Sequence, residues 1–176
     1  TVVLTGGFDS TGHSSDVYRG SGDFSSWASV ATRPFPARAN HELVQTTNGT
    51  LVIMAGRGAS ARLNDVYMSH DNGVTWTQLV EHAPWAPRSG AHAAVLPGGT
   101  VVISGGWTGT DTLQDMWTSV DLVVWVEVDV ACPPRHTGQL LYLESGVLAL
   151  VVEDAHPVTT TQTWHYECPQ RSIPRM

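Results

Sequence analysis

Three tryptophans, Trp27, Trp76 and Trp125, stand 49 residues apart, and three other markers keep step with them. An apolar run closes on a glycine at Gly7, Gly56 and Gly106, and an aspartate follows each glycine by nine positions, at Asp16, Asp65 and Asp115. An arginine opens each succeeding unit, at Arg38, Arg88 and Arg135. Four markers in step define an internal repeat, and a period near 50 residues restricts the architecture before any single residue is interpreted. Each unit holds four short runs rich in β-branched and aromatic residues, separated by Gly, Asn, Asp and Pro. The first run follows the arginine (AHAAVL) and the second is apolar and ends in glycine (TVVISGG). The third starts at the aspartate (DVYMS, DMWTS) and the fourth carries the tryptophan (TWTQL, VVWVEV). No stretch sustains a 3.6-residue period, so little helix is expected. Asn48-Gly49 and Gly98-Gly99 suit tight hairpins between the first and second runs, where positive φ is needed. Four strands per unit predict an all-β chain of antiparallel, four-stranded propeller blades.

The units predict a single propeller domain or segment over 1–176. It comprises a partial blade at 1–30, full blades at 38–80 and 88–130, and a degenerate partial blade at 135–168 with runs QLLYLE, VLALVVE and TQTWHYE. About three and a half blades fall short of the four or more that closed rings use. An unfinished ring leaves sheet faces and edges uncovered. The expectation is therefore completion by further blades of a longer chain or self-association, with a structural filament as one outcome. The chain opens on Thr1 with no signal-peptide pattern, which reads as a processed chain or a piece of something longer.

The double glycines Gly6-Gly7 and Gly105-Gly106, the NDVY and QDMW starts of the third run and the PRSGAH lead-in to the first resemble the kelch family of propellers. The resemblance covers about residues 1–154, and the second unit departs from it with Ala55-Gly56. It implies a propeller and says little about activity, because such folds host many functions. The stretch Ser69-His70-Asp71-Asn72-Gly73-Val74-Thr75-Trp76 resembles the Asp-box of sialidase-type propellers. That resemblance implies a structural turn: Asp71 accepts backbone N–H groups, Gly73 takes a positive φ and Trp76 packs between neighbouring sheets. The third unit keeps Ser119, Asp121 and Trp125 without the glycine, and the first keeps Trp27 with a nearby Asp23.

Strands that alternate in direction bring the second-to-third and fourth-to-first connections to one end. That end gathers His13, Arg57, Arg62, Trp85, Trp107 and Asp111, a set of aromatic and arginine side chains suited to a protein or glycan partner. Trp85 and Trp107 lead it, because an exposed indole is costly without a use. Arg38, Arg88 and Arg135 recur by repeat symmetry, which favours an ion pair or backbone hydrogen bond in each blade over a converging carboxylate-binding cluster.

Charge narrows the partner classes. All nine basic residues are arginine, the net charge is −7 and the pI about 5.5, which argues against a nucleic-acid surface. No apolar run approaches the roughly 18 residues of a membrane span. Eight histidines include His41, His92 and His136 near first runs, out of register and without metal-ligand spacing, so no metal or other cofactor is expected. No Ser-His-Asp set or phosphate loop can be argued, and the chain reads as a non-enzymatic extracellular binding or assembly scaffold. The alternatives are a carbohydrate-active enzyme of sialidase-like or galactose-oxidase-like type, and an intracellular kelch adaptor. Cys132 and Cys168 suit a disulfide, and Asn48-Gly49-Thr50 is an N-glycosylation sequon as well as a good turn. Thr159, Thr160 and Thr161 beside Pro157 suit O-glycans on composition alone.

Overall fold

The computed structural model describes residues 1–31, 33–129, 139–142 and 148–151, and every regular element among them is a β-strand. Strands β1 (Val2–Asp9), β2 (Gly12–Gly20) and β3 (Trp27–Ala31) form a three-stranded sheet. A second sheet runs β4 (Glu42–Gln45), β5 (Leu51–Met54), β6 (Val66–Ser69), β7 (Thr77–Val80). A third repeats it as β8 (His92–Val95), β9 (Val101–Ser104), β10 (Met116–Ser119), β11 (Val126–Glu127), and β12 (Gln139–Tyr142) pairs with β13 (Leu148–Val151). All pairings are antiparallel between chain neighbours. Strand β4 lies beside β8, and β8 beside β12, so the first strands of successive sheets line up. These up-and-down sheets, repeated side by side, are the blades of a β-propeller. Cys132, Arg135, His136, the TQTWHYE run, Thr159–Thr161 and Cys168 lie outside the described residues.

The cores lie between sheets. Every residue of β5 (LVIM) and β9 (VVIS) is buried, because a neighbouring sheet covers each face. Val17, Phe35, Ile53 and Tyr67 form one cluster between the first and second sheets. Val52, Met54, Val66, Val101, Ile103, Trp85 and Trp125 belong to the next, between the second and third. Each such aliphatic side chain contributes roughly 1.5–3 kcal/mol by leaving water.

The repeated arginines clip one sheet to the next. Arg38 spends its main chain on the first sheet, donating N–H to Ser14 O and accepting from Gly7 N, each at 2.8 Å. Its guanidinium, fully buried, reaches into the second sheet and grips Asp65 at 2.6 and 2.8 Å, with a further bond to Ala55 O at 2.9 Å. Arg88 repeats the device one sheet on. Its main chain bonds Leu63 O and Gly56 N, and its guanidinium grips Asp115 at 2.7 and 2.6 Å and donates to Gly105 O. Burial alone would raise the Asp115 carboxyl, but hydrogen bonds from Arg88 and Trp117 hold it below the usual carboxylate value.

The glycine that ends each second strand explains its own recurrence. Gly56 has φ +104°, and a Cβ there would meet His41 Cβ at 2.8 Å and Ala39 O at 3.1 Å. The residue before it is also left-handed: Gly6 at φ 54°, Gly105 at 63° and, in the unit that breaks the pattern, Ala55 at 58°. The methyl of Ala55 therefore costs about 1 kcal/mol of local strain in the second sheet.

The hairpins between first and second strands are a residue longer than two-residue turns. Gly49 N–H bonds Thr46 O and Thr46 N–H bonds Thr50 O, with Gly49 at φ +87°. Asn48 keeps negative φ because its carboxamide oxygen instead accepts from Thr46 Oγ1 and Thr50 N–H. In the turn before Trp76, the Ser69 hydroxyl accepts the Gly73 N–H at 2.9 Å and Asp71 accepts the Thr75 N–H at 2.9 Å. The Thr75 hydroxyl, donating to Asp71 at 2.6 Å, and the Thr75 N–H hold the Asp71 carboxyl down to about 2. Gly73 has φ +88°, and the Trp76 indole packs edge-on against Phe35 at 5.2 Å between the first two sheets. Trp76 is only half-buried. Trp76→Ala should therefore cost ~2–3 kcal/mol, below the range for a fully buried tryptophan. Urea unfolding measures it, and a change near zero would remove the turn from the inter-sheet core.

Two inner residues make stability depend on pH. Burial pushes the Glu42 carboxyl from its usual 4.5 up to about 8, against a hydrogen bond from Ala93 N–H. Burial, helped by the nearby Arg38 charge, pulls His41 from 6.5 down to about 4. Folded Glu42 keeps a proton that the unfolded chain releases, so its contribution is full below 4.5 and fades as pH rises to 8. The His41 contribution is full above 6.5 and fades as pH falls to 4. The two slopes oppose between 4.5 and 6.5, and above 6.5 only that of Glu42 acts. Stability should fall by up to ~2 kcal/mol from about pH 6.5 to 8, and Glu42→Gln should abolish that fall. Denaturant melts at the two pH values check it, and an identical decline in both proteins would assign it elsewhere.

Candidate protein-binding face

Repeat symmetry builds the face. The residue after the glycine that ends each second strand occupies one register: Phe8 in the first unit, Arg57 in the second, Trp107 in the third. Short bridges fix this register. Arg57 pairs with Ala39 and Arg62, and Trp107 pairs with Ser89 and Thr112. The backbone is thus braced while the side chains point into solvent: Phe8 is 73% exposed, Trp107 is 38% exposed, and Arg57 is exposed.

The best-defined contact joins two sheets. Arg62, on the loop of the second sheet, lays its guanidinium 4.2 Å from the centroid of the Trp107 ring on the third. Its Nε donates to Ser89 Oγ at 3.2 Å, which holds the plane over the indole. Gly109 leaves the space that this arginine fills. A cation over an indole is worth ~0.5–1 kcal/mol at an exposed site and more when a partner excludes water. The first sheet adds an edge-on pair, Phe8 and His13, with centroids 5.1 Å apart. Asp111 is exposed on the loop beyond Trp107, where its carboxylate accepts from the Thr110 hydroxyl.

Trp85 does not belong to this surface. It is 1% exposed and packs edge-on against Trp125 at 6.0 Å, with the Arg88 guanidinium 5.6 Å from its ring. The reason lies in the linker. Trp85 stands three residues before Arg88 as Phe35 stands before Arg38, and both aromatics fill the gap that the clip arginine closes. Phe8 was absent from the expected set, although its place after Gly7 is the same signal that marks Arg57 and Trp107.

Residues 1–120 match the DUF6242 beta propeller domain. The chain belongs to this family. As a DUF6242 propeller it is also similar to plant proteins. It is 31% identical to Adagio-like protein 1 of Oryza sativa subsp. japonica over 124 residues, 66% of this chain and 20% of that protein. Adagio-like protein 3 of the same organism is 30% identical over 113 residues, 60% of this chain and 18% of that protein. Adagio protein 3 of Arabidopsis thaliana is 29% identical over 113 residues, again 60% of this chain and 18% of that protein. The chain spans about a fifth of the length of these curated relatives.

The other end of the sheets carries Asn48, exposed on its hairpin tip, beside an open cavity of about 310 Å³ lined by Thr46, Asn48, His70, Gly99 and Asp121. Among the described residues no cluster of three or more His, Cys, Asp or Glu is arranged to hold a metal ion. Nor is any helix there long and apolar enough to cross a membrane.

Proposed function

We propose that this propeller is a non-enzymatic binding scaffold, kelch-like in its repeat, that takes a carboxylate-bearing segment of a partner protein on the face of Phe8, His13, Arg57, Arg62 and Trp107. The observation that carries the reading is the Arg62–Trp107 pair with Arg57 in the neighbouring unit, in a chain of net charge −7. Cations concentrated on one end of an acidic molecule select for an acidic ligand there, and the flat indole supplies apolar area around it. The braced backbone keeps the ordering cost of binding low. The scaffold acts outside the cell, a reading supported by the exposed Asn48 sequon, the Cys132 and Cys168 pair and the absence of lysine. In this reading the Ser69–Trp76 turn is an Asp-box with a structural role only.

Selection of displayed peptides against the folded chain tests it. Enriched peptides should be acidic, and the triple variant R57A/R62A/W107A should lose their binding at least tenfold while keeping the wild-type circular dichroism. A His70→Ala variant at the opposite end should bind as wild type. Peptides without acidic enrichment, or binding that survives the triple variant, would refute the assignment. Secreted material should also carry a glycan on Asn48 that intact-mass analysis detects.

A further inference from the structure

At the hairpin end of the sheets, the second and third units diverge where the rest of the repeat is kept. Asp71 uses both carboxylate oxygens inside its own turn: one accepts the Thr75 N–H at 2.9 Å and the other the Thr75 hydroxyl at 2.6 Å. The third unit places Val124 where Thr75 stands, directly before the tryptophan. Asp121 therefore holds its turn with one oxygen alone, which accepts from the Val123 and Val124 N–H groups and the Ser119 hydroxyl. Its second oxygen has no partner among the described residues. The hairpins differ too. Gly98 stands where the second sheet has Asn48, and a Cβ there would meet nothing within 4 Å. The Asn48 carboxamide oxygen is taken by Thr46 and Thr50, which leaves its nitrogen unpartnered among the described residues, as is the Thr47 hydroxyl. Thr47, Asn48, Gly98 and Asp121 all line the cavity of about 310 Å³ at this end. Its walls belong to the second and third sheets, whose eight strands β4–β11 are all described.

We propose that this cavity seats one neutral pyranose ring. Every sugar hydroxyl both donates and accepts, and the free groups offer both: the Asn48 N–H donors, the Thr47 hydroxyl and the second Asp121 oxygen. The turn already fixes the Asp121 carboxylate, so a charge-assisted bond from a sugar hydroxyl forms at little ordering cost. The wall behind is braced by the bond of 2.9 Å between Thr50 Oγ1 and His70 Nδ1. Val120, 81% exposed, and Leu122 supply apolar surface for the C–H face of the ring. Asp121 is negative and no arginine lines the cavity, which disfavours an anionic ligand. The volume lies at the small end of ligand sites, roughly 300–1,000 Å³, and suits a single ring. Such a ring has two sources: a separate saccharide, or the first sugar of a glycan on Asn48, with the carboxamide nitrogen as its point of attachment.

Both sources are tested on the full chain. For a separate saccharide, protein made in bacteria with a bare Asn48 is titrated with the methyl glycosides of glucose, galactose, mannose and N-acetylglucosamine. Amide NMR shifts at Thr47, Gly99 and Asp121 should saturate with at least one of them, at one sugar per chain. Asp121→Asn keeps the oxygen that holds the turn, and it should weaken binding at least fivefold at unchanged circular dichroism. Thr47→Val, at an exposed residue, should weaken it as well. For the attached sugar, secreted protein is trimmed to one N-acetylglucosamine on Asn48. It should melt several degrees above the bare protein, and Asp121→Asn should erase that difference. Either response, with its dependence on Asp121, supports the site and identifies the source. If no neutral glycoside saturates and no sugar on Asn48 raises Tm, the proposal is overturned. Responses that survive Asp121→Asn would overturn it too. So would binding of glucosamine that no neutral glycoside matches, since the carboxylate would then be holding a cation.

Discussion

Asp65→Ala should destabilise the propeller by ~3–5 kcal/mol, the penalty for stranding a buried charge. The Arg38 guanidinium is fully buried, and among the described residues Asp65 alone supplies its counter-charge, at 2.6 and 2.8 Å. Removal of the carboxylate leaves the backbone carbonyls of Pro36 and Ala55, which accept hydrogen bonds but cannot neutralise the cation. The clip spans two sheets, so the loss is felt at an inter-sheet contact as well as inside one sheet. Burying both charges was itself costly, and that sets the control. Arg38→Met combined with Asp65→Leu should recover most of the loss, since it removes both charges and keeps the volume apolar. Equilibrium urea unfolding of the three proteins measures it. A cost below about 1 kcal/mol for Asp65→Ala would mean that water reaches the guanidinium and that the clip is not a buried pair. The matching change Asp115→Ala should cost less, because the Asp115 side chain is 20% exposed against 7% for Asp65.

Much of this was legible in the sequence because repetition converts one structural solution into a visible spacing. Gly7, Gly56 and Gly106 recur because each takes a positive φ, at 107°, 104° and 96°, and at Gly56 and Gly106 the linker backbone also passes within 3.1 Å of where a Cβ would stand. Arginine and aspartate recur because each neutralises the charge of the other where the clip is buried. Side-chain exposure was harder to read. Trp85 and Trp107 both look like loop tryptophans, yet one fills a core and the other faces solvent. The difference is their place relative to the clip: Trp85 lies three residues before Arg88, on the side that the guanidinium seals, and Trp107 follows a left-handed glycine that turns it outward. The pH response of Glu42 and His41 was also hidden. A single histidine or glutamate in a short strand carries no spacing signal, and only the neighbouring inner strand, through Ala93 N–H, reveals that the carboxyl has been taken from water.

Trp85→Ala should cost ~3–5 kcal/mol and leave the binding face intact. The indole is 1% exposed and sits in the cluster that joins the second and third sheets, edge-on to Trp125 and beneath the Arg88 guanidinium. Its linker neighbours are prolines, Pro84 and Pro87, and stiff backbone limits how far the chain can collapse into the space left behind. The void should therefore persist. It would also remove the apolar wall beside the Arg88–Asp115 pair, allowing water to reach it. Trp85→Phe should retain about half the stabilisation, because phenylalanine fills the equivalent place as Phe35 in the preceding linker. The indole N–H has no hydrogen-bond partner among the described residues, so that replacement forfeits no polar contact. Denaturant melts of both variants give the costs, and peptide binding at the Arg62–Trp107 face serves as the second readout. Loss of binding in Trp85→Phe at unchanged stability would return Trp85 to the surface and refute its assignment to the core.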